Sequence, residues 1–236
     1  MLLLVAVAMF AGALAQSVSG IGFSLVTVPI LVAALGTHEG IRLCLVLSVV
    51  VNLVLLLRHR SAVDRRGAAL LLVPAALTTP VFAVVVGSLP DRPTQAATGV
   101  VILLGAALLG FGVRVRAARG TGGAVGVALV AALTNVVAGV GGPPLALWAA
   151  NAGWSAERTR ATLQAVFLGL NLVAIVSLGL PHTGTRPVVA GLLALLVGLL
   201  LGARLARVVA EPTARRCTLL LSAAGGLTVL VRALTA

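Results

Sequence analysis

Long apolar runs separated by short polar gaps form the dominant pattern of this chain. A helix needs about 20 apolar residues to cross the hydrocarbon core of a bilayer, within a range of about 17–25. The runs do not alternate between apolar and polar positions, so the strands of a membrane barrel are not indicated. The pattern predicts an all-α integral membrane protein with six full spans, at residues 41–57, 67–87, 93–113, 161–180, 187–203 and 217–236.

Two further apolar segments, 1–36 and 121–152, are interrupted near their middle by Gly, Pro and polar residues. Gly and Pro at this density end a helix. The arms on either side have about 13–15 residues, which is too short to cross about 30 Å of hydrocarbon. Each segment is therefore predicted to be a broken helical hairpin. Residues 1–15 also resemble a signal peptide, although no basic residue precedes them, so the retention of this arm stays open.

The two breaks indicate an internal repeat. Residues 19–22 align on residues 138–141 at an offset of 119. Further matches at offsets of 118 to 120 are Asn52 with Asn171, Glu39 with Glu157, Arg42 with Arg160, and Asp91 with Glu211. The near-constant spacing predicts two repeats, 1–118 and 119–236, each with one hairpin followed by three spans.

The composition supports a membrane protein. Hydrophobic residues make up 60% of the 236 residues and charged residues only 9%, where a soluble domain has about 25% charged residues. The net charge of +12 comes from 17 basic residues, all of them Arg. In a soluble protein this balance would suggest nucleic acid. Here the Arg lie between apolar runs, so they indicate topology determinants and contacts with the lipid bilayer rather than a nucleic-acid partner.

The distribution of Arg favours the two hairpins. If both segments return to the side they came from, the loops at 58–66, 114–120, 153–160 and 204–216 share one side and hold 13 of the 17 Arg. If 121–152 crosses once, the split is nine to eight. Basic loops stay cytoplasmic, so the hairpin arrangement is preferred. Three crossings per half then make the repeats inverted, with the N-terminus outside.

Paired breaks in inverted halves indicate a transport site, because non-helical backbone at membrane depth must be buried or line a wet cavity. Helix N-termini at such breaks suit an anion. The predicted substrate-binding residues are Gln16, Ser17, Ser19, Gly20, Gly22, Ser24, Asn52, Thr134, Asn135, Gly139, Gly141, Gly142, Pro143 and Asn171. The alternative is that the Gly residues only permit close helix packing and the Asn residues form interhelical hydrogen bonds.

Arg42 and Arg160 are candidates for gating or for attracting the anion at a span entrance. The alternative is an ordinary first-turn pairing with Glu39 and Glu157. No Asp or Glu lies in the middle of a span, and nucleotide-binding fingerprints and Cys/His metal clusters are absent from the sequence. We therefore expect no enzyme, no catalytic residues, no metal and no cofactor.

The breaks carry a family resemblance. The segments 20–29 (GIGFSLVTVP) and 139–145 (GVGGPPL) resemble the Gly-rich motifs of the sulfite exporter TauE/SafE family, also called the 4-toluene sulfonate uptake permease family. Members often show a fuller GxGGG run, from which this chain departs at Phe23-Ser24 and at Pro143-Pro144. The resemblance implies transport of sulfite, sulfonates or related organosulfur anions across the bacterial inner membrane.

The sequence thus predicts a multi-pass secondary transporter of a small anion, in which two halves alternate access to the breaks. A non-transporting membrane scaffold or assembly partner is the alternative. The sequence leaves open the substrate, the direction of transport, the coupling ion and whether copies of the chain form a homo-oligomer.

Overall fold

A computed structural model of the chain describes residues 1–20, 22–112 and 120–235, and within these ranges it contains helices and no strand. The helices are α1 (Leu2–Ser19), α2 (Phe23–Leu35), α3 (Thr37–His59), α4 (Arg65–Gly87), α5 (Asp91–Phe111), α6 (Gly120–Ala138), α7 (Gly142–Asn151), α8 (Ala156–Leu178), α9 (Thr185–Leu205) and α10 (Glu211–Thr235), with a 3-10 turn at Arg60–Ala62. Residue 113 of the predicted span 93–113, residue 236 of the predicted span 217–236, and residues 114–119 of the predicted loop 114–120 lie outside the described residues.

Eight helices in the described part are long and apolar enough to cross a membrane, namely all except α2 and α7. Many large apolar side chains on them are exposed, as at Leu3, Val84 and Val176. Such a surface suits lipid and not water. The chain is an all-α multi-pass membrane protein, as the hydropathy pattern predicted.

The predicted arm lengths were wrong, because the polar residues before each break remain helical. α1 has 18 residues and α6 has 19, whereas α2 and α7 have 13 and 10. The hydroxyl groups of Ser17 and Ser19 donate hydrogen bonds to the carbonyls of Ala13 and Ala15, one turn earlier. A hydroxyl satisfied in this way does not stop a helix. Each hairpin therefore has one long and one short arm.

Both short helices turn back along the long ones. In the first hairpin, Oγ1 of Thr27 donates a 3.2 Å hydrogen bond to the carbonyl of Ala8. A Cβ at Gly12 would lie 1.9 Å from that Oγ1, so the approach of the two helices requires glycine. In the second hairpin, α7 packs on α6 and is followed by Trp154, which packs on Gly67 at the start of α4.

The packing of the helices is compatible with two inverted repeats. α1 packs on α9, and its counterpart α6 packs on α4. The pairs α3 with α8 and α5 with α10 join each helix to its own counterpart in the other half. If each helix is replaced by its counterpart in the other half, these packing pairs stay the same.

Several Arg of the described residues lie at one end of the bundle, here called the arginine-rich face. Arg158 forms an ion pair with Asp64, Nη2 of Arg160 lies 3.8 Å from Oε1 of Glu211, and Arg215 donates to the carbonyl of Leu109. These contacts bring together the loop before α4, the start of α8, the end of α5 and the start of α10.

The opposite face contains the other helix ends. Nε2 of His38 lies 3.1 Å from Oδ1 of Asp91. The backbone N–H of His182 donates a 2.6 Å hydrogen bond to Oε2 of Glu39. The starts of α3 and α5 and the loop before α9 therefore lie on this face.

Candidate functional site

The first break is a glycine turn that α1 and α2 share. Gly20 ends α1 in the left-handed region, with φ of 73°, and its N–H donates to the carbonyl of Gln16. Gly22 precedes α2 with φ of 116°. Residues with a Cβ rarely adopt such values, so glycine is required at both positions.

Gln16 holds this turn in place. Its Oε1 accepts a 3.1 Å hydrogen bond from the N–H of Phe23, and its Nε2 donates a 3.2 Å hydrogen bond to the carbonyl of Gly20. The side chain thus satisfies the first free N–H of α2, as a cap residue would. The N–H groups of Ser24 and Leu25 follow at the N-terminus of α2, where no earlier turn supplies a carbonyl.

The second break is built in a related way. The N–H of Gly139, which has φ of 63°, donates to the carbonyl of Asn135, and the N–H of Val140 donates to the carbonyl of Thr134. Pro143 lies in the first turn of α7, a position that proline tolerates because the N–H would be unpaired there. Pro143 and Pro144 both lack an N–H, so α7 offers fewer donors than α2.

The N-termini of α2 and α7 meet at one cavity of about 60 Å³, the central cavity. Its lining consists of Gln16, Gly22, Phe23, Ser24, Leu25, Ser48, Asn52, Asn135, Gly139, Val140, Gly141, Gly142, Pro143, Phe167 and Asn171. None of these residues carries a charged side chain. Each helix N-terminus contributes roughly half a positive charge, so the electrostatics of the cavity favour an anion.

Asn52 and Asn171 occupy matching places in α3 and α8, but their amides differ in partners. Nδ2 of Asn135 donates a 3.1 Å hydrogen bond to Oδ1 of Asn171. Nδ2 of Asn52 is buried and has no partner among the described residues. A buried donor without a partner costs free energy, which a bound acceptor would offset.

The structure brings most of the predicted residues together at this cavity. Those that line it are Gln16, Gly22, Ser24, Asn52, Asn135, Gly139, Gly141, Gly142, Pro143 and Asn171. Ser17, Ser19, Gly20 and Thr134 do not line it. The hydroxyls of Ser17, Ser19 and Thr134 bond to carbonyls of their own helices, because these residues lie within α1 and α6 and not in the turns.

The two predicted arginines lie apart from each other. Nη1 of Arg42 is 2.8 Å from Oε1 of Glu39, on the opposite face and about 15 Å along α3 from Asn52. Arg160 lies beside Gly20, where a Cβ would be 2.9 Å from its Nε. Arg160 therefore borders the first break, whereas Arg42 belongs to the surface network with His182.

Five lining residues were missed in the sequence, namely Phe23, Leu25, Ser48, Val140 and Phe167. Ser48 and Phe167 precede Asn52 and Asn171 by four residues, so they lie on the same helix faces, and Phe23 is the first residue of α2. The i, i+4 spacing from the two Asn could have identified Ser48 and Phe167. Both lie in apolar runs, where nothing else distinguishes them.

A larger space, here called the vestibule, adjoins the central cavity on the side of the arginine-rich face. It measures about 420 Å³ and shares Gly142 and Phe167 with the central cavity. Arg160 and Arg215 line it, together with Glu211. Toward the opposite face, Val28, Leu31 and Leu43 are fully buried in one apolar cluster. The central cavity is therefore closer to open space on the arginine-rich side.

Comparison with known families gives one match. The profile described as "Sulfite exporter TauE/SafE" matches residues 4–229. Comparison with curated proteins and with solved structures gave no significant match.

Proposed function

This chain belongs to the sulfite exporter TauE/SafE family, and we propose that it moves a small anion, sulfite, a sulfonate or a related organosulfur anion, by alternating access to the central cavity. Family membership implies membrane transport of sulfite or related anions, and the family is one of transporters and not enzymes. The substrate, the route and the mechanism are our proposals.

The observation that carries the proposal is the convergence of two helix N-termini and several amides on one uncharged cavity. Dipoles and amide N–H groups can hold an anion without a buried cation, which would bind it so tightly that release becomes slow. The volume of about 60 Å³ suits a ligand of a few heavy atoms, far below the 300–1,000 Å³ or so of drug-sized pockets.

The vestibule supports a direction of access in this conformation. Basic loops face the cytoplasm of a bacterial inner membrane, so the arginine-rich face would be cytoplasmic. An anion would then reach the central cavity from the cytoplasm past Phe167 and Gly142. Movement of one half against the other would close this route and open the apolar cluster toward the opposite face.

The test is flux in liposomes reconstituted with the purified chain. We expect uptake of radiolabelled sulfite or of methanesulfonate above that of empty liposomes. Gly141→Leu should abolish this uptake, because a Cβ there already lies 3.1 Å from the carbonyl oxygen of Ala131 and 3.3 Å from Cβ of Asn135.

Gly126→Leu is the matched control, since no atom lies within 4 Å of a Cβ at that position in α6. It should transport as the wild type does. Absence of flux for every anion tested would contradict the proposal and favour a non-transporting scaffold. Full transport by a well-expressed Gly141→Leu variant would exclude the second break from the route.

A further inference from the structure

A second small cavity, here called the staging cavity, lies between the first break, the end of α3 and the start of α8. It measures about 70 Å³. Its lining consists of Gln16, Ser17, Gly20, Leu55, Arg58, His59, Arg160, Gln164 and Ala203. It therefore lies on the arginine-rich side of the central cavity, with which it shares Gln16.

The charge of the staging cavity is positive and poorly compensated. Arg58 and Arg160 line it, and no carboxylate does. The nearest acidic group to Arg160 is Oε1 of Glu211, which is 3.8 Å away and belongs to an exposed side chain. Arg58 has no ion pair within the part of the chain that the structure describes. Two guanidinium groups beside one polar space favour an oxyanion, which they can bind through two N–H groups each.

Gln164 gives an independent indication of a ligand. Its side chain is 1% exposed, and its Oε1 has no partner among the described residues. The residue lines both the staging cavity and the vestibule. A buried amide with an unpaired atom costs free energy unless a ligand or water completes its bonds, and rotation of the amide by half a turn presents its N–H groups to an anion.

We propose that the staging cavity is a second anion site, in series with the central cavity and separated from it by Gln16. This inference rests on the proposed function, because the ligand is the same small oxyanion, sulfite or a sulfonate. Arg58 and Arg160 hold the anion by charge, and the amide of Gln164 supplies a polar contact. The anion leaves this charged site through the vestibule, which Arg160 and Gln164 also line, and reaches the uncharged central cavity past Phe167 and Gly142.

Equilibrium dialysis of the purified protein with radiolabelled sulfite, and separately with radiolabelled methanesulfonate, tests the proposal. We expect the wild type to bind two equivalents per chain. The double variant Arg58→Gln/Arg160→Gln should bind one, with the second affinity weakened on the order of tenfold or more. Asn52→Ala should also bind one, because it alters the central cavity alone.

Arg207→Gln is the matched control. It removes one exposed Arg from the same face outside the staging cavity and should bind two equivalents. Arg160→Lys keeps the charge and should retain the second equivalent with a loss of less than about tenfold. The elution profile of each variant on size exclusion establishes that it is folded.

Two outcomes separate this inference from the proposed function. A single wild-type equivalent that Asn52→Ala removes, and that the double Gln variant leaves intact, would overturn the second site and leave the transport proposal standing. No anion binding by the wild type would overturn both.

Discussion

Asn135 donates a 3.1 Å hydrogen bond from its Nδ2 to Oδ1 of Asn171 across the central cavity. The positions 119 residues earlier hold Gln16 and Asn52, and here Gln16 instead bonds to the backbone of Phe23 and Gly20. Nδ2 of Asn52 is left without a partner among the residues that the structure describes. The second half of the site is thus fixed by an amide pair, whereas the first half presents a free donor.

This asymmetry predicts different results for two matched variants. Asn171→Ala should lower the stability by about 1–3 kcal/mol, because it leaves Nδ2 of Asn135 buried without an acceptor. Asn52→Ala should leave stability nearly unchanged and reduce anion transport on the order of tenfold, because it removes a donor that only the anion uses. Thermal unfolding in detergent and liposome flux measure the two effects. Full transport by Asn52→Ala would exclude the free donor from binding.

The close approach of α1 and α2 predicts a strong effect at Gly12. A methyl group at Gly12 overlaps Oγ1 of Thr27, which would lie 1.9 Å away, and lies 2.9 Å from the carbonyl oxygen of Phe23. Gly12→Ala should therefore displace the N-terminus of α2, lower stability by about 1–3 kcal/mol and abolish transport.

Gly126→Ala is the control for Gly12→Ala, since that helical position is open. It should be neutral or stabilising by up to about 1 kcal/mol. Differential scanning fluorimetry and flux follow both variants. Equal stability and activity of the two would show that the hairpin does not depend on this contact.

The orientation predicts which loops a membrane-impermeant maleimide reaches. In a Cys217→Ser background, Ala152→Cys in the loop between α7 and α8 should react only after the cytoplasmic side is opened. Ser88→Cys at the end of α4 should react in intact cells, because this end lies on the opposite face. Cys44 is buried and should not react. Labelling of Ala152→Cys in intact cells would overturn the hairpin topology.

The ion pair between Asp64 and Arg158 predicts that the stability of the fold depends on pH in the acidic range. The hydrogen bond from the Arg158 guanidinium holds the pKa of Asp64 below its usual value. Its stabilising effect is therefore fully present above the unfolded-state pKa of about 3.9 and is lost as the pH falls through the lower folded-state pKa. Because the pair is partly exposed, the effect should stay below about 1 kcal/mol.

Unfolding temperatures measured from pH 6 down to about pH 3 test this dependence. Asp64→Asn cannot form the ion pair, so its unfolding temperature should fall less on acidification than that of the wild type. Glu157→Gln, at the start of α8, is the control, and its unfolding temperature should fall on acidification as much as that of the wild type. Identical acid profiles for the wild type and Asp64→Asn would contradict a contribution from the pair.

Several features of the site could be predicted from the sequence, because they require a backbone conformation that glycine favours or recur at the repeat offset. Gly22 and Gly139 mark breaks, and the repeat offset placed Asn52 on Asn171. Ser17, Ser19 and Thr134 were assigned to the site because polar residues beside glycine suggested a loop. Their hydroxyls instead donate to carbonyls of their own helices. These bonds form because α1 and α6 extend past the three residues, and the sequence did not show where the two helices end.

The sequence by itself determined the helical class and the two breaks, because a bilayer requires long apolar helices, and Gly and polar residues are easily recognised within them. Only the tertiary structure decided that α2 and α7 point at one cavity and that Ser48 and Phe167 line it beside the two Asn. Lipid and protein interior are both apolar, so the sequence of a buried membrane helix carries little information about which of its faces meets another helix. Packing supplies that information, through contacts such as those of Gly12 with Thr27 and of Asn135 with Asn171.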